Sequence, residues 1–479
     1  MIDGLKPYPA YKDSGVPWLG EVPAHWEVRR LGSLLQERRE TNEGLRVTEV
    51  LSVLRERGVI PYAEKGNIGN KKSDDISRYK IVRPNDIVVN SMNVVIGSVG
   101  LSKFTGCISP VYYIVTRREA QDDPRYLNAY FRTKPFQQSL IRLGNGILAH
   151  RMRIPMELLK CEPFPLPPAN EQTAIVRFLD YVDRRIRRSI RAKQKLIKLL
   201  EEYRQALIHQ AVTGKIDVGT GKPYPAYKDS GVPWLGQVPA HWDVVPLKRL
   251  AWFKSGAGFP VHYQGETSAE IPFFKVSDMN IPGNEKYLHV CANTVSMAVA
   301  QDLGATVLPA GTIVFPKVGG ALLTNKRRIA ANQCCIDNNM MGCVVRNGNR
   351  DFLFLIMSYI DLGQIAKPGP VPAISEGEVR EIRVALPSAP EQTAIVEYLD
   401  AEAAKLDTAI AAARREIELL REYRERLIAD VVTGKVDVRG VAAQLPDEPA
   451  EEEAGTEEEE PVAEELATAD SQEEANGEE

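Results

Sequence analysis

The sequence contains no apolar run long enough to cross a membrane. Its longest strongly apolar stretch is Phe352–Met357, whereas a spanning helix needs about 20 such residues. Residues 1–7 contain no apolar core of the kind found in secretory signal peptides. We therefore expect a cytoplasmic protein.

Metal-ligand patterns are also missing. The six cysteines include no Cys-x-x-Cys pair, and the six histidines lie far from one another. Zinc sites draw their ligands from clustered residues of these types, so we predict no metal site. In a reducing compartment, the cysteines are expected to be buried free thiols.

Motifs for catalysis are absent as well. There is no Asp/Asn-Pro-Pro-Tyr/Phe sequence of the kind that an amino-methyltransferase uses to hold a flipped base. The Gly-Ala-Gly at 256–258 lacks the third glycine and the helix start of a dinucleotide-binding loop. The Thr-Gly-Lys at 213–215 lacks the upstream glycine and the following Ser or Thr of a phosphate-binding loop. We predict no catalytic residue, and a binding protein rather than an enzyme.

Positive charge is missing from the C-terminal part of the sequence. After Arg439 there is no Lys or Arg, and residues 447–479 contain 16 Asp and Glu. The remaining residues have a net charge of +12, although the whole chain has −4. A body with this charge suits a polyanionic partner such as nucleic acid. The acidic tail, residues 439–479, has too little apolar surface to fold, and we predict that it is disordered.

What the sequence does contain is a long internal repeat. Residues 7–28 and 223–244 differ at only two of 22 positions. EQTAIVRFLD at 171–180 returns as EQTAIVEYLD at 391–400, and a VTGK motif follows each copy. The chain is therefore one unit present twice, over about 7–218 and 223–438, which implies pseudo-two-fold symmetry.

Each copy ends in a segment with the apolar pattern of a coiled coil. Apolar residues alternate at spacings of four and three, with Arg204 and Arg424 at the same place in the two copies. Residues 169–218 have a net charge of +5, and residues 389–438 have −4. We predict two long helices that pack against each other, rather than each packing only on its own domain. The predicted seam consists of Ile186, Ile190, Ile197, Leu200 and Leu207 in the first copy and Leu406, Ile410, Ile417, Leu420 and Leu427 in the second.

Between the repeated parts lie two stretches, about 29–165 and 245–385, that are unlike in sequence. Both contain a β-rich run, at 86–92 and 312–318, and a later helical run, at 124–143 and 350–366. We predict two α+β domains that share a scaffold and differ in surface. Their net charges are +9 and +3.

Basic residues cluster beside Asn, Ser and Thr in both stretches. Such side chains bind phosphates and contact base edges. A single cluster of this kind is also typical of a solvated loop, but here the two clusters lie in corresponding halves of a basic body. The predicted DNA-facing residues are Lys71, Lys72, Arg78, Lys80, Lys326, Arg327 and Arg328, and the predicted base contacts are Asn90, Asn93, Lys317 and Asn325.

The repeated motifs resemble those of the specificity (S) subunits of Type I restriction–modification enzymes. The matching motifs are SGVPWLG followed by VPAHWEV or VPAHWDV, then PLPPANEQTAIV or ALPSAPEQTAIV, and finally LL-x-EYR with VTGK. They occur twice in the same order over about residues 7–438. The acidic tail has no counterpart in this pattern.

The resemblance implies both a fold and partners. Each variable stretch is expected to be a target recognition domain, and the two long helices are expected to form an antiparallel coiled coil that separates these domains. The duplicated frame with two different surfaces predicts a bipartite, asymmetric target in double-stranded DNA. The resemblance implies two modification (methyltransferase) subunits, which carry S-adenosylmethionine, and restriction subunits, which use ATP and Mg, with no cofactor bound by this chain. The expected segments are 1–28 (N-terminal repeated segment), 29–165 (first recognition domain), 166–218 (first helix), 219–244 (linker and repeated segment), 245–385 (second recognition domain), 386–438 (second helix) and 439–479 (acidic tail).

Two other interpretations stay open at this point. One is a free-standing DNA-binding regulator, which needs no partner surface on the helices. The other is a coiled-coil scaffold whose basic patches bind proteins. A neighbouring gene for an Asn-Pro-Pro-Phe methyltransferase, or purification only as a complex with that enzyme, would favour the specificity subunit over both.

Overall fold

The computed structural model describes residues 5–55, 57–66, 71–144, 152–366 and 371–446. The chain forms two compact units. The first unit combines the residues up to Lys193 with those from Arg415 onward, and the second unit spans Gln194–Arg414. Each unit therefore contains parts of both repeats, which a division of the sequence at the repeat boundary does not predict.

The first unit is built on a four-stranded antiparallel sheet. Its inner strand Ile87–Asn90 comes from the predicted β-rich run and begins with three consecutive β-branched residues, which favour strands and are buried here. This strand pairs with Tyr112–Arg117 on one side and with Val99–Leu101 on the other. Leu35–Glu37 pairs with the outer side of Tyr112–Arg117 and completes the sheet.

The second unit has a five-stranded sheet at the corresponding place. The inner strand Ile313–Pro316 comes from the second predicted β-rich run, and all four of its residues are buried. Neighbouring strands are antiparallel except for the last pair, which is parallel. The strands lie in the order Ala251–Ser255, Met340–Val345, Ile313–Pro316, Arg328–Ala330 and Tyr287–Leu288.

The two sheets share one topology. If the four common strands of each sheet are numbered along the chain, their order in space is 1-4-2-3 in both units. A helix follows the fourth strand in both cases. The fifth strand of the second unit, Tyr287–Leu288, has no counterpart among the described residues of the first sheet. The prediction of one α+β scaffold with two different surfaces is confirmed at the level of topology.

A two-stranded pair joins the beginning and the end of each variable stretch. Glu27–Arg30 pairs with Pro163–Leu166 in the first unit, and Asp243–Pro246 pairs with Arg383–Leu386 in the second. The remaining strands form two hairpins (Tyr11–Asp13 with Glu21–Pro23; Tyr227–Asp229 with Gln237–Pro239), two pairs (Leu51–Leu54 with Gly58–Pro61; Lys80–Val82 with Gly106–Ile108) and a small sheet (Thr294–Val295, Ile271–Phe274 and Cys335–Ile336).

Short helices cover these sheets. Each of the two predicted helical runs forms two helices, Pro124–Phe131 with Lys134–Leu140 and Arg350–Tyr359 with Leu362–Ile365. In both runs an Asp or Asn side chain caps the first helix by accepting a backbone N–H. The other short helices are Leu31–Leu34, Met156–Leu159, Met297–Asp302, Gly320–Leu323, Glu376–Glu381 and Arg439–Gln444.

Two helices of 44 residues dominate the structure. The first long helix is Ala169–Val212, and the second long helix is Ala389–Val432. Gly214 and Gly434 follow their ends with φ of 70° and 78°, a backbone conformation that favours glycine at a helix C-terminus. Within the described part of the chain, no helix is both long and apolar enough to span a membrane.

The two long helices pack against each other in an antiparallel sense within each unit. In the first unit, Asp183 contacts Arg424 and Lys193 contacts Glu416, so higher numbers on one helix meet lower numbers on the other. The predicted pairing of the helices is confirmed. In the second unit Arg204 contacts Asp407 and Arg414 contacts Glu201. Of the predicted seam, Ile186, Ile190, Leu207, Leu406, Ile410, Ile417 and Leu427 are buried, and Ile197, Leu200 and Leu420 are partly buried.

The acidic tail needs one correction at its beginning. Arg439–Gln444 form a helix, although the sequence predicted disorder from residue 439 onward. The order has local causes: Ala442 is 2% exposed, and Arg439 pairs with Asp437 and lies over the ring of Tyr8. Residues 447–479 lie outside the described residues.

The cysteine prediction is confirmed for four of six positions. Cys107, Cys334, Cys335 and Cys343 are buried free thiols, and burial raises the pKa of each. Cys291 is only partly buried. Cys161 is exposed because it lies in a surface turn, so the prediction is wrong there.

Candidate nucleic-acid interface

The first anchor cluster (Tyr8, His25, Trp26 and Glu171) fixes the N-terminal repeated segment to the first long helix. Glu171 lies in the first turn of that helix and is 3% exposed. Its carboxylate accepts hydrogen bonds from Tyr8 Oη at 2.5 Å and Trp26 Nε1 at 2.9 Å, and it contacts His25 Nε2 at 2.8 Å. Burial, reinforced by the bond to Glu171, raises the pKa of Tyr8, so the phenol acts as a donor.

The second anchor cluster (Tyr224, His241, Trp242 and Glu391) repeats this arrangement in the second unit. Glu391 contacts His241 Nε2 at 2.8 Å and accepts from Trp242 Nε1 at 3.3 Å and Ser388 Oγ at 2.8 Å. Although burial opposes ionisation, these hydrogen bonds lower the pKa of Glu391 to about 2. The His-Trp pair of each VPAHW motif is distant in the sequence from the EQTAIV motif. In both units the two motifs meet beside the strand pair that closes the variable stretch.

The two copies also exchange their helix ends. Gly434 belongs to the second copy but packs against Pro23 of the first, where an added Cβ would lie 2.3 Å from the proline Cδ. Gly214, from the first copy, packs in the same way against Pro239 of the second, again at 2.3 Å. Each anchor cluster is thus completed by the VTGK motif of the other copy. The sequence offered the motifs but not this exchange.

The first predicted basic cluster lies on a well-positioned loop of the first unit. Lys71, Lys72 and Arg78 are exposed. Tyr62 Oη accepts the backbone N–H of Lys72 at 3.0 Å, and Tyr79 Oη accepts the N–H of the following residue at 2.9 Å. The loop backbone is therefore fixed from inside, while its basic side chains reach the solvent. This arrangement suits contacts to phosphates.

Lys80 is not part of that exposed surface. Its Nζ donates to the backbone carbonyl of Tyr112 at 2.8 Å and lies 3.9 Å from Glu37 Oε1. The side chain is 16% exposed, and burial lowers its pKa. Lys80 begins a strand and is held by internal contacts, so the structure does not support the predicted DNA-facing position.

The predicted base-contact residues lie at topologically equivalent places. In the first unit Asn90 ends the second common strand and Asn93 lies in the connection to the third, and in the second unit Lys317 and Asn325 lie in the corresponding connection. All four residues are partly buried. Asn90 Oδ1 accepts the N–H of Met92 at 3.0 Å and shapes the turn. Whether these side chains touch bases stays a prediction.

Contacts within the domain place the side chains of the second connection. Lys317 Nζ donates to Ser255 Oγ at 2.9 Å, and Lys326 Nζ donates to Asn280 Oδ1. Asn325 has a left-handed backbone, with φ of 52°, and its Nδ2 donates to a backbone carbonyl at 3.3 Å. The side chains of this second connection are therefore held by hydrogen bonds to their own domain, whereas the basic side chains of the exposed loop in the first unit reach the solvent.

Arg327 is a correction to the predicted interface. It is only 3% exposed, and its guanidinium donates to the carbonyls of Met357 at 3.0 Å and Ile360 at 3.3 Å. It also lies over the ring of Phe315, and burial lowers its pKa to about 10. Arg328 is partly buried, donates to a backbone carbonyl at 3.2 Å, and has a pKa lowered by burial. The cluster runs into the strand Arg328–Ala330, and this position is the signal in the sequence that its arginines make contacts within the domain.

Sequence reasoning missed an exposed apolar patch in the repeated LL-x-EYR motif. Leu199 and Tyr203 on the first long helix are 51% and 52% exposed, and Leu419, the counterpart of Leu199, is 46% exposed. Tyr423, the counterpart of Tyr203, is partly exposed. Residues four apart share one helix face. These residues lie outside the spacing of four and three that defines the seam, because they point away from it.

The chemistry of the interface is that of donors and cations. Lysine, arginine and asparagine side chains hold phosphates and contact base edges. In the described ranges, no three His, Cys, Asp or Glu side chains come together in a way that could hold a metal ion. The groups present are those that bind a polyanion.

A protein-family model matches residues 23–199, and this family is described as the type I restriction modification DNA specificity domain. The chain carries a DNA specificity domain. The match begins at the last residue of the hairpin strand Glu21–Pro23 and ends within the first long helix, so it includes the whole of the first variable stretch. The resemblance of the repeated motifs to specificity subunits is confirmed.

Two specificity subunits of known sequence are similar to this chain over nearly its whole length. The putative type I restriction enzyme MjaX specificity subunit of Methanocaldococcus jannaschii is 22% identical over 447 residues, which are 88% of this chain and 96% of the relative. The MjaVIII specificity subunit of the same organism is 23% identical over 440 residues, with 88% and 95% covered.

The fold also matches a solved chain. It comes from a study of complex assembly and conformational transition of the type I R-M system, with a TM-score of 0.62 and 16% identity. The match covers 86% of this chain and 98% of that one. It supports the arrangement of tandem α+β domains with two long helices.

Proposed function

We propose that this chain is the non-catalytic DNA sequence-recognition subunit of a type I restriction–modification complex, and that it binds a bipartite target with two different halves. One observation carries this proposal. Two sheets with the same 1-4-2-3 order present unlike side chains where the second common strand ends and in the connection after it, Asn90 and Asn93 in one and Lys317 and Asn325 in the other. Unlike donors at equivalent positions contact unlike base edges.

The exposed loop of the first unit supports the non-specific part of this binding. Lys71, Lys72 and Arg78 present positive charge to the solvent on a backbone that Tyr62 and Tyr79 position. Phosphate contacts of this kind fix the register of a protein on DNA without selecting a sequence. Sequence selection is then left to the two sheet connections.

The LL-x-EYR patches support two partner subunits. A Leu–Tyr pair occurs at the equivalent place on each long helix: Leu199 and Tyr203 are exposed on the first, and Leu419 is exposed beside the partly exposed Tyr423 on the second. Exposed apolar side chains at equivalent places suit two copies of one partner. We propose that they bind the two modification subunits, which carry S-adenosylmethionine. The restriction subunits carry ATP and Mg, and this chain binds no cofactor.

The other two interpretations are not favoured. A free-standing regulator needs no repeated apolar patch on its helices, whereas this chain has one on each. A scaffold with protein-binding basic patches needs no specificity domain. The matched domain therefore favours the recognition subunit over both alternatives.

A domain exchange tests the proposed function. The chain is co-expressed with its modification subunits, and methylated sites are mapped by sequencing. Replacing residues 29–165 with a foreign target recognition domain should change one half of the methylated site and leave the other half intact. The matched exchange of residues 245–385 should change the other half. A palindromic native site, or a change in both halves after one exchange, would contradict the proposal.

The partner patches have their own test. Leu199→Glu with Leu419→Glu should prevent co-purification of the modification subunits without unfolding the chain. Leu158→Glu places the same charge at a leucine that is 43% exposed elsewhere, and it should leave co-purification unchanged. Equal loss in both variants would place the partner surface somewhere else.

A further inference from the structure

An arginine stripe (Arg177, Arg184, Arg188 and Arg191) occupies one face of the first long helix. The spacings of seven, four and three residues place these side chains on one side of the helix. Arg184 is partly exposed, and the other three are exposed. In the second long helix the matching positions, 220 residues later, are Glu397, Ala404, Thr408 and Ala411. The stripe is therefore a feature of one copy only, within an otherwise repeated frame.

The stripe lies away from the seam between the helices. The helical spacing puts the buried Ile186 and Ile190 on a different face from the four arginines. Contacts across the seam use charges of both signs on the first helix, Asp183 to Arg424 and Lys193 to Glu416. These seam contacts therefore lie on a different face from the arginine stripe.

The last described residues of the chain lie directly on this stripe. Arg177 Nη2 donates to the backbone carbonyl of Leu445 at 2.6 Å. Leu445 and Pro446 line a shallow surface pocket together with Arg177 and Arg184. Asp180 also lines this pocket, and its carboxylate contacts a side chain of the variable domain, Arg125, at 3.3 Å.

The residues that follow have the opposite charge. Residues 447–479 contain 16 Asp and Glu and no Lys or Arg, and the first two are Asp447 and Glu448. The stripe is about 21 Å long at about 1.5 Å per residue. An extended chain covers about 3.3 Å per residue, so fewer than about ten residues span it. A tether this short gives an effective concentration on the order of millimolar.

We propose that the acidic segment 447–479 docks on the arginine stripe of its own chain. Single exposed ion pairs are weak, but several of them supplied by one tethered segment act together. The contact is reversible and sensitive to salt, because both partners are exposed charges. The docked segment would thereby cover the arginine stripe of the first long helix.

Binding of the segment in trans tests this proposal without any assay of restriction or methylation. A fluorescent peptide with residues 447–479 is titrated with a chain that ends at Pro446 and with the full chain. The shortened chain should bind the peptide, and binding should weaken as salt is added. The full chain should bind it at least about tenfold more weakly, because its own segment competes. Equal binding to both chains, or no binding to the shortened chain, would overturn the proposal.

Matched variants separate the stripe from net charge. In the shortened chain, Arg184→Gln with Arg188→Gln and Arg191→Gln should weaken peptide binding by about tenfold. The control removes three exposed charges elsewhere, with Lys12→Gln, Lys228→Gln and Arg421→Gln, and should bind like the unsubstituted chain. Thermal unfolding confirms that both variants fold. Equal weakening in both, or a stripe variant that loses affinity for DNA but not for the peptide, would show that the stripe has another occupant.

Discussion

The two units have the same sheet topology and the same type of anchor cluster, but their basic residues lie in different environments. The first unit places Lys71, Lys72 and Arg78 on an exposed loop. The second unit buries Arg327 and half-buries Arg328 within its own fold. The sequence therefore shows only that arginine and lysine residues are clustered. The packing of the neighbouring strand and helix decides whether their charges are exposed to a ligand.

The two anchor clusters differ in a similar way. The Glu171 side chain is 2% exposed, and that of Glu391 is 27% exposed. The first cluster also has the cation of Arg439 at 4.0 Å from Glu171, a contact contributed by the helix Arg439–Gln444. The same repeated motif therefore has a drier environment in the first unit than in the second.

Removing the tryptophan of either anchor cluster should have the largest effect. Trp26 and Trp242 are both fully buried. Trp26→Ala and Trp242→Ala should each lower the free energy of unfolding by about 3–5 kcal/mol, because each leaves a cavity and removes one hydrogen bond from the glutamate of its cluster. Urea unfolding of the single variants measures this. A cost below about 1 kcal/mol for one of them would mean that the clusters are not equivalent.

The next largest effect is expected at Arg327. Arg327→Ala leaves the carbonyls of Met357 and Ile360 without their donor inside the core, and we expect a loss of about 2–4 kcal/mol in the free energy of unfolding. Lys72→Ala, at an exposed position of the other unit, is the control and should change stability by less than about 0.5 kcal/mol. If Arg327→Ala is as mild as Lys72→Ala, the contrast between the two basic clusters is wrong.

The dependence on pH should distinguish the second anchor cluster. The pKa of Glu391 is about 2 in the folded chain and 4.5 in its ordinary state, so its contribution is fully present above about pH 4.5 and is lost as the pH falls towards 2. Because Glu391 is partly exposed, solvent screening keeps this contribution below about 3 kcal/mol. Glu391→Gln should therefore destabilise the chain at pH 7 more than at pH 3, as measured by urea unfolding. The same difference at both pH values would contradict this.

The smallest effect concerns phosphate contacts. Lys72→Ala should weaken DNA binding similarly for all sequences and reduce the dependence of log affinity on log salt by about one unit. Lys326→Ala, whose Nζ is occupied by Asn280, should change the slope by less. Binding titrations at several salt concentrations test this, and equal slopes for both variants would remove the distinction between the two units.

The duplication, the two long helices and their seam follow from the sequence alone. Repeated motifs are visible without any contact, and a spacing of four and three places apolar residues on one helix face whatever surrounds it. The β-rich runs at 86–92 and 312–318 were also predictable, because β-branched residues favour strands locally. These features depend on neighbours in the chain.

Only the tertiary structure decided which copy completes which unit and which charges are exposed. Gly434 packs on Pro23, more than 400 residues away, and Gly214 on Pro239, so the helix ends are exchanged between the copies. Arg327 is internal because a helix that begins at Arg350 presents its last carbonyls to it. Such partners come from distant segments, and a local pattern carries no information about which distant backbone group will lie beside a given charge.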